Sequence, residues 1–254
     1  MLPFALAALL SPAALAAQNA AGDREVALVP RNADQAALCT ADRRWCVELV
    51  PAEGDGPPVP LVRAGDAATP ADAPPSDSSE DETYAVWPRL ILLKDGGFLA
   101  GVETRTSTSY SGGGGSATAL GLFRVAADGQ PGGKPVLEVP LRASLMIRAC
   151  FDEKDMKQRR GACHDEYRFS GTLTLAGEAA GGLPGLAYVA EAEAYPRGVS
   201  RSADSTTMAR LKQSDLVYAR DPACSFSRHF RFDAAAGVFR PDTALPDCSD
   251  YTVP

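Results

Sequence analysis

The segment between Cys150 and Tyr167 holds the densest set of side chains in this sequence that could bind a partner or do chemistry. Two cysteines bracket a run of mixed charge, and a histidine and two acids follow the second cysteine. A loop closed by a disulfide loses little entropy on binding, so mixed charge there is typical of a recognition site. A solvated loop with ion pairs worth under about 1 kcal/mol each is the open alternative. The candidate binding residues are Lys157, Arg159, Arg160, His164, Asp165 and Glu166.

A run of four glycines, residues 112–115, follows Tyr110 and Ser111. A phosphate-binding loop would need a helix directly after the glycines and a lysine to complete the site. Here an apolar, strand-like run follows and no lysine is present. We therefore expect a flexible hairpin loop, with Tyr110 as a candidate anchor for a partner.

Recognised catalytic motifs are missing from the sequence: it has no phosphate-binding P-loop, H-E-x-x-H, G-x-S-x-G or S-x-x-K pattern. Of its two histidines, His229 alternates with Phe230 and Phe232, as an exposed residue of an amphipathic strand would. Glu191 and Glu193 would share one face of a strand, and carboxylates from distant strands can form a hydrolytic pair. We assign no catalytic residue and keep a carboxylate-dependent periplasmic hydrolase as the alternative to a binding or structural module.

The first 17 residues contain no charged side chain and end in small residues, Ala14 and Ala16, at the positions that a signal peptidase requires. This stretch falls short of the roughly 20 residues that a membrane helix needs. We expect a signal peptide over residues 1–16, and no later segment is apolar enough to span a membrane. The Ala-, Gly-, Pro- and Arg-rich composition is typical of a GC-rich bacterial gene, so we expect a periplasmic or secreted protein.

Export changes how the six cysteines are interpreted, because an oxidising compartment favours disulfides over metal ligation. Zinc sites need closely spaced C-x₂-C or H-x₃-H pairs, and none is present. We therefore expect no metal and no cofactor. The cysteines fall into three local couples, which predicts the disulfides Cys39–Cys46, Cys150–Cys163 and Cys224–Cys248.

Residues 53–83 differ abruptly in composition from the rest of the chain: they are rich in Pro, Ala and acidic residues and contain no aromatic residue. Eight acidic residues and one arginine in this segment account for the whole net charge of −7. Such a segment buries too little apolar surface to offset its ordering entropy, so we expect a disordered linker with a short strand at 59–62. The remainder is neutral and lacks a basic motif, which argues against a nucleic-acid partner.

After the linker, short apolar or β-branched runs alternate with turn residues such as Asp95-Gly96 and Asp128-Gly129. About ten such strands predict an all-β fold, either an antiparallel sandwich, a barrel or a partial propeller. Only residues 32–38 and 204–212 have helical character, so we expect at most two short helices. The expected organisation is a short N-terminal segment over 17–52 that contains the Cys39–Cys46 loop, the linker over 53–83, and a β-rich domain over 84–254. The expected function is that of a disulfide-stabilised binding or structural module of the cell envelope, whose partner is an unknown protein or glycan.

Overall fold

The computed structural model describes residues 22–31, 37–52, 56–65 and 82–254. The expected signal peptide therefore lies outside the described residues. The described chain contains thirteen strands: β1 Arg24–Pro30, β2 Ala37–Thr40, β3 Trp45–Val50, β4 Val59–Ala64, β5 Glu82–Leu92, β6 Phe98–Tyr110, β7 Gly113–Val125, β8 Leu137–Arg148, β9 His164–Ala180, β10 Leu183–Tyr195, β11 Ala219–Arg220, β12 Phe226–Asp233 and β13 Val238–Pro241. Two short helices, α1 Glu153–Gln158 and α2 Ser249–Thr252, and a 3₁₀ turn at Gln213–Asp215 complete the fold.

All strands belong to one open antiparallel sheet with the order β13-β12-β10-β9-β8-β7-β6-β5-β1-β2-β3-β4, and β11 pairs with β10. The all-β prediction is confirmed: of the thirteen strands in the described chain, nine (β5 to β13) follow the expected linker, where about ten were expected. Most neighbours in the sheet are also neighbours in sequence, because tight hairpins connect them. Gly96 and Gly129 occupy the positive-φ positions of two predicted hairpins, with φ of 87° and 88°.

The sheet curls back on itself at both ends. At the N-terminal end, β4 contacts β6 and β7, and the Val62 N–H donates to the Gly129 carbonyl at 3.2 Å. At the C-terminal end, the Phe239 N–H donates to the Val136 carbonyl at 2.7 Å. These contacts bring both ends of the sheet against the segment around residues 129–136, between β7 and β8.

Two large hydrophobic clusters form most of the core of the described chain. The smaller one lies between β1–β4 and β5–β7, where the Trp45 and Phe98 rings meet edge to face at 4.9 Å. The larger one extends from β5 to β13 and includes the fully buried Tyr188. Alternating burial along β10, from Tyr188 through Ala190 and Ala192 to Ala194, directs every second side chain into this core.

The N-terminal segment and the β-rich domain share one sheet, because β1 pairs with β5. The segment expected to be a disordered linker also contains a packed strand: β4 covers the predicted strand at 59–62, and Leu61 and Val62 are buried. The short strand expected at 59–62 is therefore present within β4, where pairing with β3 and contacts in the smaller cluster hold it in place. Residues 53–55 and 66–81 lie outside the described residues.

The helix expected at 204–212 does not form, and the described end of the helix expected at 32–38 is a strand. Residues 204–212 form turns, in which the Asp204 Oδ1 accepts the N–H and the hydroxyl of Thr206 at 2.9 and 2.8 Å and so competes with a helix. Of residues 32–38, Ala37 and Leu38 belong to β2, and 32–36 lie outside the described residues. Helix α1 instead forms inside the charged loop, where the Asp152 side chain caps the Asp155 N–H at 2.8 Å.

The three predicted disulfides form. Cys39 and Cys46 are directly opposite on the β2–β3 pair, so this bond staples a hairpin. Cys150–Cys163 closes the loop that contains α1, and Cys224–Cys248 joins the start of β12 to the start of α2. All six cysteines are paired.

Candidate functional site: a polar groove across six strands

Strand register aligns polar residues into two rows that each cross six strands, the first from β5 to β10 and the second from β6 to β11. Each member of a row is the Cα partner of the next, so consecutive members are separated by one strand spacing of about 5 Å. The first row consists of Thr83, Arg105, Thr118, Arg142, Ser170 and Glu191. The second row consists of Ser107, Ser116, Ser144, Arg168, Glu193 and Arg220.

These rows line a groove of about 900 Å³. Its volume is at the upper end of the range that binding sites for small molecules occupy. Five strands each contribute two polar residues that are two positions apart and therefore point to the same face. The complete lining is Thr83, Ala85, Glu103, Arg105, Ser116, Thr118, Arg142, Ala143, Ser144, Arg168, Phe169, Ser170, Glu191 and Glu193.

A β-bulge between β7 and β8 sets the direction of the central side chains. The register shifts between Thr118 and Ala119, so that Ala119 pairs with Pro140, Thr118 pairs with Arg142, and Leu141 is the extra residue. Leu141 is buried in the larger core, whereas the Arg142 side chain is 63% exposed on the groove. The bulge therefore lets one strand supply both the core and the groove at this point.

Two of the three arginines in the groove already have partners. The Arg142 Nη2 lies 2.5 Å from the Glu103 Oε2, and the Glu103 side chain is only 12% exposed. The Arg168 guanidinium lies over the Tyr218 ring at 3.8 Å and pairs with Glu166 at 3.3 Å. The Tyr218 hydroxyl also donates to Glu166, and burial followed by this bond and its charge raises the pKa of Tyr218 to about 12.

The remaining charges of the groove have no partner among the described residues. Arg105 on β6 makes no hydrogen bond or ion pair there, and neither do Glu191 and Glu193 on β10. All three side chains belong to exposed residues. The hydroxyls of Ser144 and Ser170 on the strands between them are likewise without a side-chain partner in the described chain. This groove therefore offers one cationic end, one anionic end and a hydroxyl-lined centre.

The arrangement of side chains in the groove suits ligand binding better than metal binding or hydrolysis. Within the described ranges, no group of three or more His, Cys, Asp or Glu residues is arranged to hold a metal ion. Glu191 and Glu193 are two positions apart on one strand face, about 7 Å between Cα atoms. Both residues are exposed, whereas a general acid is normally shielded from water. Their position therefore suits hydrogen bonding to a ligand better than proton transfer.

The residues predicted from the sequence lie outside the lining of this groove. Tyr110 is 43% exposed at the tip of the β6–β7 hairpin, and its hydroxyl donates to the Met146 carbonyl at 3.3 Å. Because Met146 and Glu166 are Cα partners, the glycine hairpin and the end of the disulfide loop lie at the same end of the sheet. His164 is half-buried beside them, opposite Arg148. Glu166 comes closest to the groove, through its contact with Arg168.

The charged loop divides into exposed and buried members. Lys157 and Arg160 are exposed, and Arg160 donates to the Gln213 side chain at 3.3 Å. Arg159 and Asp165 are buried, at 1% and 3% exposure, and form an ion pair with each other. These two side chains are therefore not offered to a partner on the surface. Their buried ion pair contributes to the folded structure of the loop.

Arg105, Arg142 and Arg168 were not among the residues predicted from the sequence, although their strands carry a signal. Polar residues recur two positions apart in β6 to β10, for example at Arg142 and Ser144 and at Glu191 and Glu193. Such alternation predicts a polar strand face, and only the register shows that the faces are continuous.

In the part of the chain that the structure describes, no helix is long and apolar enough to cross a membrane. Comparison with protein-family models, with curated proteins and with solved structures finds no match to this chain.

Proposed function

We propose that this chain is an exported, disulfide-stabilised binding module of the cell envelope and that the groove across β5–β10 is its ligand-binding surface. The observation that carries the proposal is the uninterrupted polar face of six strands, with Arg105, Glu191 and Glu193 left unpaired within the described chain. The sheet fixes the backbone positions of these charges, and because they have no partner of their own in the described chain they are available to a ligand of matching charge.

The uncharged leader over residues 1–16 and the even number of cysteines support export. Expression of the full chain in a bacterial host, followed by fractionation and N-terminal sequencing, tests this part. We expect the mature protein in the periplasm or medium, with Ala17 as its first residue. A chain that stays in the cytoplasm with Met1 intact would contradict export.

The groove is tested by blocking its centre. Ser144 is exposed in the middle of the lining, so Ser144→Trp fills the groove without changing charge. Ser227→Trp on β12 is the matched control, because Ser227 is also an exposed strand serine but does not line the groove. We expect the wild type to retain peptides or glycans from envelope extract. The amount retained should fall at least tenfold in Ser144→Trp and stay unchanged in Ser227→Trp. Equal retention by both variants would overturn the assignment of the groove.

A carboxylate-dependent hydrolase is the second candidate, and the observation that favours it is the shared face of Glu191 and Glu193 within the groove. Incubation of the oxidised wild type with envelope polysaccharides tests it. Hydrolysis would be established if the wild type releases reducing ends and Glu191→Gln or Glu193→Gln does not. Binding of the polysaccharide without release of reducing ends would exclude the hydrolase and support the binding module.

A further inference from the structure

The two ends of the groove carry opposite unpaired charges, at Arg105 on β6 and at Glu191 and Glu193 on β10. Between them, the charges cancel locally: Arg142 is paired with Glu103, and Arg168 with Glu166. Within the lining, a ligand therefore meets Arg105 at one end and Glu191 and Glu193 at the other, while Arg220, the Cα partner of Glu193 on β11, lies outside the lining. This pattern selects for a molecule with an anionic group and a cationic group held at a fixed separation.

We infer that the groove binds a short peptide in extended form, with its carboxylate at Arg105 and an ammonium group at Glu191 and Glu193. This inference rests on the proposed function, because it names the ligand class of the same groove. Arginine can hold a terminal carboxylate through two parallel N–H donors, which makes it well suited to the anionic end. Two carboxylates on one strand face suit an ammonium group, which has three donors.

The separation of the charged ends sets the length of the peptide. β6 and β10 are four inter-strand spacings apart, about 19 Å along the sheet at about 4.8 Å per spacing. An extended chain advances about 3.4 Å per residue, so about five residues join the two ends. The curl of the sheet shortens the direct path and so favours five residues over longer chains.

The centre of the groove provides hydrogen-bonding groups for the peptide backbone. Ser116, Thr118, Ser144 and Ser170 lie between the charged ends, and none of these hydroxyls is engaged by another described side chain. A hydroxyl can both donate and accept, which matches the alternating N–H and C=O groups of a peptide. The only aromatic residue of the lining is Phe169, which is 4% exposed, so the groove offers no open ring on which a sugar face could stack.

Calorimetric titration of the oxidised protein with synthetic alanine–serine peptides tests the inference. The probes are three to eight residues long and have free termini, an acetylated N-terminus or an amidated C-terminus. We expect the tightest binding at about five residues and a loss of about fivefold in affinity for each blocked end, as expected for one exposed ion pair. An acetylated peptide with lysine at its first position separates a terminal amine from a side-chain amine as the source of the ammonium group.

Three substitutions connect each charge to its end of the peptide. Arg105→Gln should abolish the penalty for amidation and keep the penalty for acetylation, whereas Glu191→Gln combined with Glu193→Gln should do the reverse. Arg124→Gln is the matched control, because Arg124 is an exposed arginine of β7 that pairs with Asp95 and does not line the groove. Equal unfolding midpoints among the variants establish that each one is folded.

The outcomes separate this inference from the proposed function. Equal affinity for free and blocked peptides, or a preference for free termini that survives Arg105→Gln, overturns the inference. Glycan binding that Ser144→Trp abolishes, without peptide binding, overturns the peptide inference and keeps the groove as a binding surface. The absence of any ligand that responds to Ser144→Trp overturns both.

Discussion

Arg159 and Asp165 form a buried ion pair inside and just beyond the loop that the Cys150–Cys163 disulfide closes. The Arg159 Nε–H also donates to the Ala162 carbonyl at 2.8 Å, and its Nη1 donates to the Ser205 carbonyl at 3.3 Å. The Ser205 hydroxyl donates in turn to Asp165. This network connects the disulfide loop to the turns around Ser205 through buried charged groups.

Arg159→Ala should reduce the free energy of unfolding by about 3–5 kcal/mol, because it leaves the Asp165 carboxylate buried without its counter-charge. Lys157→Ala on the same short helix is the control: Lys157 and Glu153 are 77% and 89% exposed, so its loss should cost under about 0.5 kcal/mol. Urea denaturation of the oxidised proteins measures both values. Similar losses for the two variants would show that burial of the pair does not stabilise the fold.

Backbone contact explains the glycine run after Tyr110. A Cβ built on Gly113 would lie 2.3 Å from the Met146 carbonyl oxygen, a distance that no side chain tolerates, and Gly112 has a φ of +88°. Gly113→Ala should therefore destabilise the fold by at least about 1–3 kcal/mol. Gly133→Ala is the control, because nothing lies within 4 Å of its Cβ position. Thermal unfolding measures the difference, and equal midpoints for the two variants would contradict the close approach of β7 and β8.

The disulfide pattern is open to a direct chemical test. Trypsin cleaves between the members of each pair, at Arg43 and Arg44 in the first loop and at Arg228 in the third, for example. Non-reducing peptide mapping should then return three linked peptide pairs that join Cys39 to Cys46, Cys150 to Cys163 and Cys224 to Cys248. A crosslink from Cys39 or Cys46 to any other cysteine would contradict the hairpin that β2 and β3 form.

The strands and the disulfides could be predicted from the sequence because the signals for both lie close together along the chain. Hairpin turns at Gly96 and Gly129 and the short spacing of each cysteine couple need no knowledge of distant contacts. The helix predicted at residues 204–212 does not form, because the Asp204 side chain accepts a hydrogen bond from the Thr206 backbone N–H and this local bond competes with helix formation.

The groove and the buried pair could not be predicted in the same way. Arg105, Arg142 and Glu191 come together only through the register of six strands and through the bulge at Leu141. Neither the register nor the bulge can be recognised in a single sequence. Arg159 and Arg160 are adjacent and chemically identical, yet one is buried and the other exposed. Only the tertiary position of Asp165 distinguishes them.

Buried tyrosines should make the fold sensitive to alkaline pH. Burial raises the pKa of Tyr188 far above the value near 10 of an unfolded chain, and burial is also the largest cause of the raised pKa values of Tyr167 and Tyr251. Above pH 10 the unfolded chain loses these phenolic protons while the folded chain keeps them, so stability is complete below pH 10 and falls as the pH rises further. Each such group contributes up to about 1.4 kcal/mol per pH unit to this loss.

Tyr188→Phe separates the two contributions of one such ring. At pH 8 the variant should lose about 1 kcal/mol, because the hydroxyl no longer donates to the Pro140 carbonyl, at 2.6 Å in the wild type. Between pH 10 and 12 its stability should fall less steeply than that of the wild type, because one titrating group is gone, and the two curves should converge. Urea unfolding at fixed ionic strength over this range measures both slopes. Parallel curves would show that the Tyr188 phenol titrates alike in the folded and unfolded chains, which would contradict its burial in the core.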